Sequence, residues 1–187
     1  MESSEFEPPG TARAAAPRVL IVQPDRNYLG VLSRRIGEAG FRVATAAGAQ
    51  AAMAELNRIP VDLVIAELKM PQCGGAELTA MIRDDAALKD LPVLVIAGRS
   101  DPQAAVRAFA AGADGVIIKP FHFEVLAARI ARELERARAV AKLRDDNAAL
   151  DARVVTRAIE LREMRDRLQA SERERRRLAG RIEPVAL

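Results

Sequence analysis

PVDLVIAELKMP, residues 60–71, is the stretch from which the rest of the chain can be placed. Val61, Leu63, Val64, Ile65 and Ala66 form a short apolar run, the pattern of a strand buried on both faces of a parallel sheet. The run ends on Glu67, and Met70-Pro71 then turns the chain into a loop. Open α/β sheets place their sites outside the carboxyl ends of their strands, so Glu67 is displayed toward a crevice.

Similar runs flank it. Arg18 to Val22 reads as a first buried strand, Phe41 to Thr45 alternates as a second strand, PVLVIAG at 92–98 reads as a fourth and Val116 to Ile118 as a fifth. Between them, Leu29, Leu32 and Ile36 stand at helical spacing over 26–39, with Gly40 as a stop. Further helices are expected over 48–58, 75–84 and 101–111, and another from near His122. Five strands alternating with five helices predict an α/β fold, a doubly wound five-stranded parallel sheet. Right-handed crossovers then gather the ends of strands 1, 3, 4 and 5 around one crevice, with Lys119-Pro120 on the same edge.

Composition narrows the class. The chain has 187 residues, 50% hydrophobic but only 3% aromatic and without Trp, so its core must be aliphatic. The single cysteine, Cys73, leaves no internal disulfide framework and fits a cytoplasmic location. No run of 18 apolar residues and no basic leader are present, so neither a membrane span nor a secretory signal is expected. Residues 1–17, rich in Ser, Glu, Pro and Gly, read as a disordered leader. Charge is uneven: residues 1–135 hold 15 Lys/Arg against 17 Asp/Glu, and residues 136–187 hold 14 against 9. The basic balance therefore belongs to the tail.

Residues 18–135 resemble a receiver domain of bacterial response regulators, of flavodoxin-like architecture. The resemblance rests on PVDLVIAELKMP, the Gly74-Gly75 pair after it, the strand opening at Pro92, and GADGVIIKPF at 112–121. It implies a phosphoryl-accepting aspartate, an acidic pair that holds magnesium, a hydroxyl and an aromatic that respond, and a lysine. On this chain the acidic pair falls on Gln23 and Pro24, with Asp25 next, and the acceptor on Glu67. The hydroxyl falls on Ala97 and the switch aromatic on Val116; only Lys119 keeps the family's residue. An amide and a proline ring are poor replacements for carboxylates around a hard divalent cation. The expectation is a pseudo-receiver with no catalytic residue, no metal and no cofactor. Glu67 then reads either as a solvated strand-end carboxylate or as the partner of Lys119. His122 has no second His or Cys at ligand spacing, Cys73 reads as inert, and no dinucleotide, Walker or nucleophile-elbow pattern occurs.

The tail, residues 136–187, reads as a coiled-coil extension. Leu126, Ile130, Leu134 and Ala137 give the fifth helix its stripe against the sheet, after which the phase shifts. Val140, Leu143, Asn147, Leu150, Val154, Arg157, Leu161, Met164, Leu168, Ser171, Arg175, Leu178 and Ile182 then follow in steps of three and four. Asn147 falls at an a position, where a buried amide fixes register in parallel dimers. Between parallel helices Glu160 faces Arg165 and Arg167 faces Glu172, whereas Asp146 against Asp151 repels. Ala148, Ala152, Val155 and Ile159 make a weaker second stripe, either a docking face or, the preferred reading, an alanine-rich exposed one.

The segment is also similar to the linkers that join receivers to output domains such as cyclic-di-GMP enzymes. Either such a domain belongs after Leu187, or the coiled coil is itself the output. The functional expectation is a non-catalytic signalling protein, a homodimer through its coiled coil that positions a protein partner. The alternative is a phosphorylatable receiver and linker of a larger regulator. Arg173, Arg175, Arg176, Arg177 and Arg181 cluster near the end, but no recognition module accompanies them, and nucleic acid is not the expected partner.

Overall fold

A computed structural model describes residues 16–99, 101 and 103–179. The expected leader therefore falls, except for Ala16 and Pro17, outside the described residues, as do Arg181 and Ile182. The elements run β1 (Arg18–Val22), α1 (Arg26–Glu38), β2 (Arg42–Ala46), α2 (Ala49–Arg58), β3 (Leu63–Glu67), α3 (Gly75–Asp84), β4 (Val93–Ala97), α4 (Ala104–Ala110), β5 (Gly115–Ile118) and α5 (Phe123–Ala179). All strand pairs are parallel, in the order β2-β1-β3-β4-β5. This is the flavodoxin-like order of a doubly wound sheet, with the direction of winding reversing between β1 and β3.

Alternation along each strand sorts the core into two layers. Leu20, Val22, Val64, Ala66, Val93, Val95 and Ala97 face one side, with Leu56, Leu78 and Ile82 from the helices. Val19, Ile21, Leu63, Ile65, Leu94 and Ile96 face the other, against Leu32, Ile36, Leu126, Ile130 and Leu134. Both faces are covered over β1, β3 and β4, which is why those strands read as continuous apolar runs, whereas β2 at the edge alternates.

Several boundaries differ from the sequence reading by one to three residues, three of them for local reasons that can be named. The second strand begins one residue later, because the Phe41 N–H donates to Ile36 O at 3.3 Å instead of to the ladder. It ends one residue later, since Ala46 O accepts from Gln23 N at 3.0 Å. Helix α4 starts at Ala104, not 101, because the Asp101 carboxylate is held by Arg107 and Lys69 instead of capping the helix. At the amino end of the sheet Arg83 joins three segments. Its guanidinium pairs with Asp114 at 2.7 Å and donates to Gly112 O at 3.0 Å and Leu91 O at 2.8 Å. Asp114 accepts in turn from Val93 N at 2.9 Å.

By its internal contacts the chain falls into two compact units, the second beginning at Ala139. The first contains the sheet and the opening turns of α5, whose Leu126, Ile130 and Leu134 are buried. The second is, among the described residues, helix throughout to Ala179. Its large apolar side chains lie bare in the single chain: Val140, Leu143, Leu150, Val154, Leu161, Met164, Leu168 and Leu178 are each more than 40% exposed. Asn147 is exposed among them. Among the described residues no helix is long and apolar enough to cross a membrane.

Candidate functional site

The site lies at the carboxyl ends of β1, β3, β4 and β5. Val22 pairs with Ala66, so the residues that follow, Gln23 and Glu67, emerge side by side from adjacent strands. Glu67 pairs with Ile96, and Ala97 with Ile118, which sets Lys119 on the same edge. The Lys119 N–H donates to Ala97 O at 2.8 Å, and the Lys119–Pro120 peptide is cis. The loop after Glu67 must fold tightly over the strand end. A Cβ on Gly74 would come 2.6 Å from Leu68 O, and one on Gly75 would come 2.6 Å from Glu67 O. Only glycine fits at either position.

Glu67 is 8% exposed and Gln23 4%. Gln23 Nε2 donates to Glu67 Oε2 at 3.0 Å, and Lys119 Nζ reaches the same oxygen at 2.5 Å. The orientation of the amide follows from its partners: its nitrogen faces a carboxylate, and its oxygen accepts from Asp25 N at 3.0 Å. Asp25 in turn spends Oδ1 on α1, accepting from Asn27 N at 2.9 Å and Tyr28 N at 3.0 Å. It is an N-cap, the residue type a helix start prefers. Tyr28 lies over the lysine, with Lys119 Nζ 4.4 Å from its ring centre. Burial lifts the Tyr28 phenol above its usual 10.0, and the Glu67 charge adds to the rise.

Of the positions singled out by sequence, the structure brings Gln23, Glu67 and Lys119 into one hydrogen-bonded group. Glu67 is thus not the solvated strand-end carboxylate that was one reading of it. Asp25 touches the group only through its backbone N–H. Pro24 is half-buried beside it. Ala97 is fully buried in the first core layer, and Val116 borders that same layer. Tyr28 was missed. Its signal was available: the chain's only tyrosine stands in the first turn of α1, three residues after a capping aspartate.

These residues do not fit a magnesium site. Such an ion needs several oxygen ligands, carboxylates above all. Here the amide of Gln23 turns its N–H toward the carboxylate, Asp25 is committed to its cap, and the lysine already occupies Glu67 Oε2. Among the described residues no group of three or more His, Cys, Asp or Glu is placed to hold a metal. Burial first, and the Glu77 charge second, push the Cys73 thiol above its ordinary range.

The Response regulator receiver domain family matches residues 19–131. The chain is 36% identical over 122 residues to protein RcaC of Microchaete diplosiphon, covering 65% of this chain and 19% of that protein. It is 27% identical over 148 residues to a probable cyclic di-GMP phosphodiesterase of Vibrio cholerae, covering 79% of this chain and 33% of that one. The chain thus spans a fifth to a third of the length of these two curated relatives. Among solved structures it is similar to the chemotaxis protein CheY4 of Vibrio cholerae, with a TM-score of 0.60 and 29% identity. That likeness covers 63% of this chain and 98% of CheY4.

Proposed function

The chain belongs to the response regulator receiver domain family of two-component signalling, and from that we propose that it is a receiver that works without phosphorylation. One observation carries the reading. Glu67 Oε2 is already shared by Gln23 and Lys119. Phosphoryl transfer to a carboxylate relies on positioning and on a cation that neutralises developing charge, and this group offers an amide in place of the metal ligands. With Ala97 and Val116 at the responding positions, there is neither a hydroxyl nor a ring to answer such a transfer.

In this reading residues 18–135 are the receiver and 136–187 the helical extension, preceded by a leader over 1–17. The extension makes a parallel homodimer whose seam is Val140, Leu143, Asn147, Leu150, Val154, Leu161, Met164, Leu168, Leu178 and Ile182. A seam of eight bare apolar side chains favours a partner helix, and the Glu160–Arg165 and Arg167–Glu172 pairings favour a second copy in parallel. The dimer then positions a protein partner in the cytoplasm. Incubation with Mg²⁺ and a small-molecule phosphodonor, read by intact mass, tests the proposal.

A second reading has its own support. The likeness to the Vibrio cholerae protein runs over 148 residues, further than the 113 that the receiver family matches. In that reading the helix is the linker of a longer regulator with an enzymatic output, and the receiver accepts phosphate on Glu67. A mass increase in the same assay would select it.

A further inference from the structure

Helix α1 holds the segment that leads from β5 into α5 at two points. Tyr28 lays its ring 4.4 Å from Lys119 Nζ, and Arg35 lays its guanidinium 5.6 Å from the centre of the Phe123 ring. Residues 28 and 35 are seven apart, so they share one face of the helix. The two contacts have opposite sense, a ring on α1 against a cation at 119 and a cation on α1 against a ring at 123. Phe121, between them, meets Phe123 edge-on with centroids 5.8 Å apart. All three rings border the layer built from Val19, Ile21, Ile117, Leu126 and Ile130. Val116, where the family's responding aromatic would stand, borders the opposite layer.

We propose that α1 clamps the root of α5, with Tyr28 and Arg35 as positioning residues that tie the Glu67–Lys119 pair to the first turn of the long helix. A change at the pair is then felt at α5 through α1, on the face of the sheet away from position 116. Glu67 Oε2 holds the ammonium at 2.5 Å, and the ring limits where the ammonium can go if that bond is lost. The Phe123 end stays fixed by Arg35. The inference concerns the path from site to helix and stands whether or not Glu67 accepts a phosphoryl group.

Amide hydrogen exchange on the full chain tests it. Tyr28→Ala and Arg35→Ala should each raise exchange over residues 119–126 by about two- to five-fold, the scale of an exposed cation–π contact. Exchange in β2 should not change. Tyr28→Phe, which keeps the ring, should stay at the parent level, and so should Val116→Ala. Glu67→Gln should raise exchange over 119–126 in the parent but add nothing in Tyr28→Ala. Unchanged exchange in both alanine variants would overturn the proposal. So would a rise of equal size in β2, a Tyr28→Phe protein that behaves like Tyr28→Ala, or a Val116→Ala protein that loosens 119–126 as much.

Discussion

Lys119 Nζ lies 2.5 Å from Glu67 Oε2, the oxygen that also accepts from Gln23 Nε2 at 3.0 Å. The carboxylate is nearly buried, with its side chain 10% exposed, whereas the lysine is 33% exposed. The two partners therefore differ in what they lose if the pair is broken. The ammonium can turn to water; the carboxylate cannot.

That asymmetry makes a prediction. Glu67→Gln removes the charge but keeps an amide oxygen for both donors and leaves the ammonium free to turn to water, so it should lower stability by only about 0–1 kcal/mol. Lys119→Met strands a charged acceptor with one partner and should cost more, about 1–3 kcal/mol. Thermal unfolding of the two variants measures the difference. Equal costs would mean that water reaches Glu67 freely.

Tyr28 offers an optical check, because it is the only tyrosine and the chain has no Trp. Burial first, and the Glu67 charge second, lift its phenol above 10.0. Its phenolate absorbance should therefore titrate with a midpoint above 10.0. Glu67→Gln should bring the midpoint down but not fully, since burial remains. The sign follows from linkage: the folded state holds this proton more tightly than the unfolded one. Its contribution to stability is present below the unfolded midpoint and is lost as pH rises through the folded one.

Much of this was legible in the sequence, and the reasons lie in particular residues. The run from Leu63 to Ala66 and its counterparts at 18–22 and 92–98 read as strands buried on both faces, and the run at 63–66 stops on the charged Glu67. The glycines at 74 and 75 could be placed, but their necessity could not, because it depends on two carbonyls that meet them in space. Gln23 looked like a lost ligand. Its use as a donor appears only once β1 and β3 are neighbours in the register that pairs Val22 with Ala66. Tyr28, at helical spacing with Leu32, reads as an ordinary core aromatic until β5 brings Lys119 beneath it. Asp25 stood in the sequence only as the acid next to the lost pair, and its hydrogen bonds from Asn27 N and Tyr28 N make it a helix cap.

The glycine pair can be tested directly. Gly75→Ala would force a Cβ to 2.6 Å from Glu67 O and should destabilise by about 1–3 kcal/mol, as overpacking does. Gly30, inside α1 with open space around it, is the contrast. Gly30→Ala should stabilise by up to about 1 kcal/mol through helix propensity alone. Denaturant midpoints of the two variants should move in opposite directions.

The helical extension makes its own prediction. Ending the chain after Arg136 removes the seam but keeps Leu126, Ile130 and Leu134 in the core. The shortened protein should sediment as a folded monomer and the full chain as a dimer. Asn147→Leu should make the dimer more stable or change its number of chains. A shortened chain that is still dimeric at micromolar concentration would move the interface into the sheet domain.

The reading as a whole turns on whether Glu67 accepts a phosphoryl group. The full chain, and a variant with aspartate at positions 23, 24 and 67, should be incubated with Mg²⁺ and a small-molecule phosphodonor and weighed intact. The expected result is an unchanged mass for the natural sequence, with any gain confined to the variant, whose carboxylates again suit the ion. A gain of one phosphoryl group on the natural chain, lost in Glu67→Gln, would contradict it.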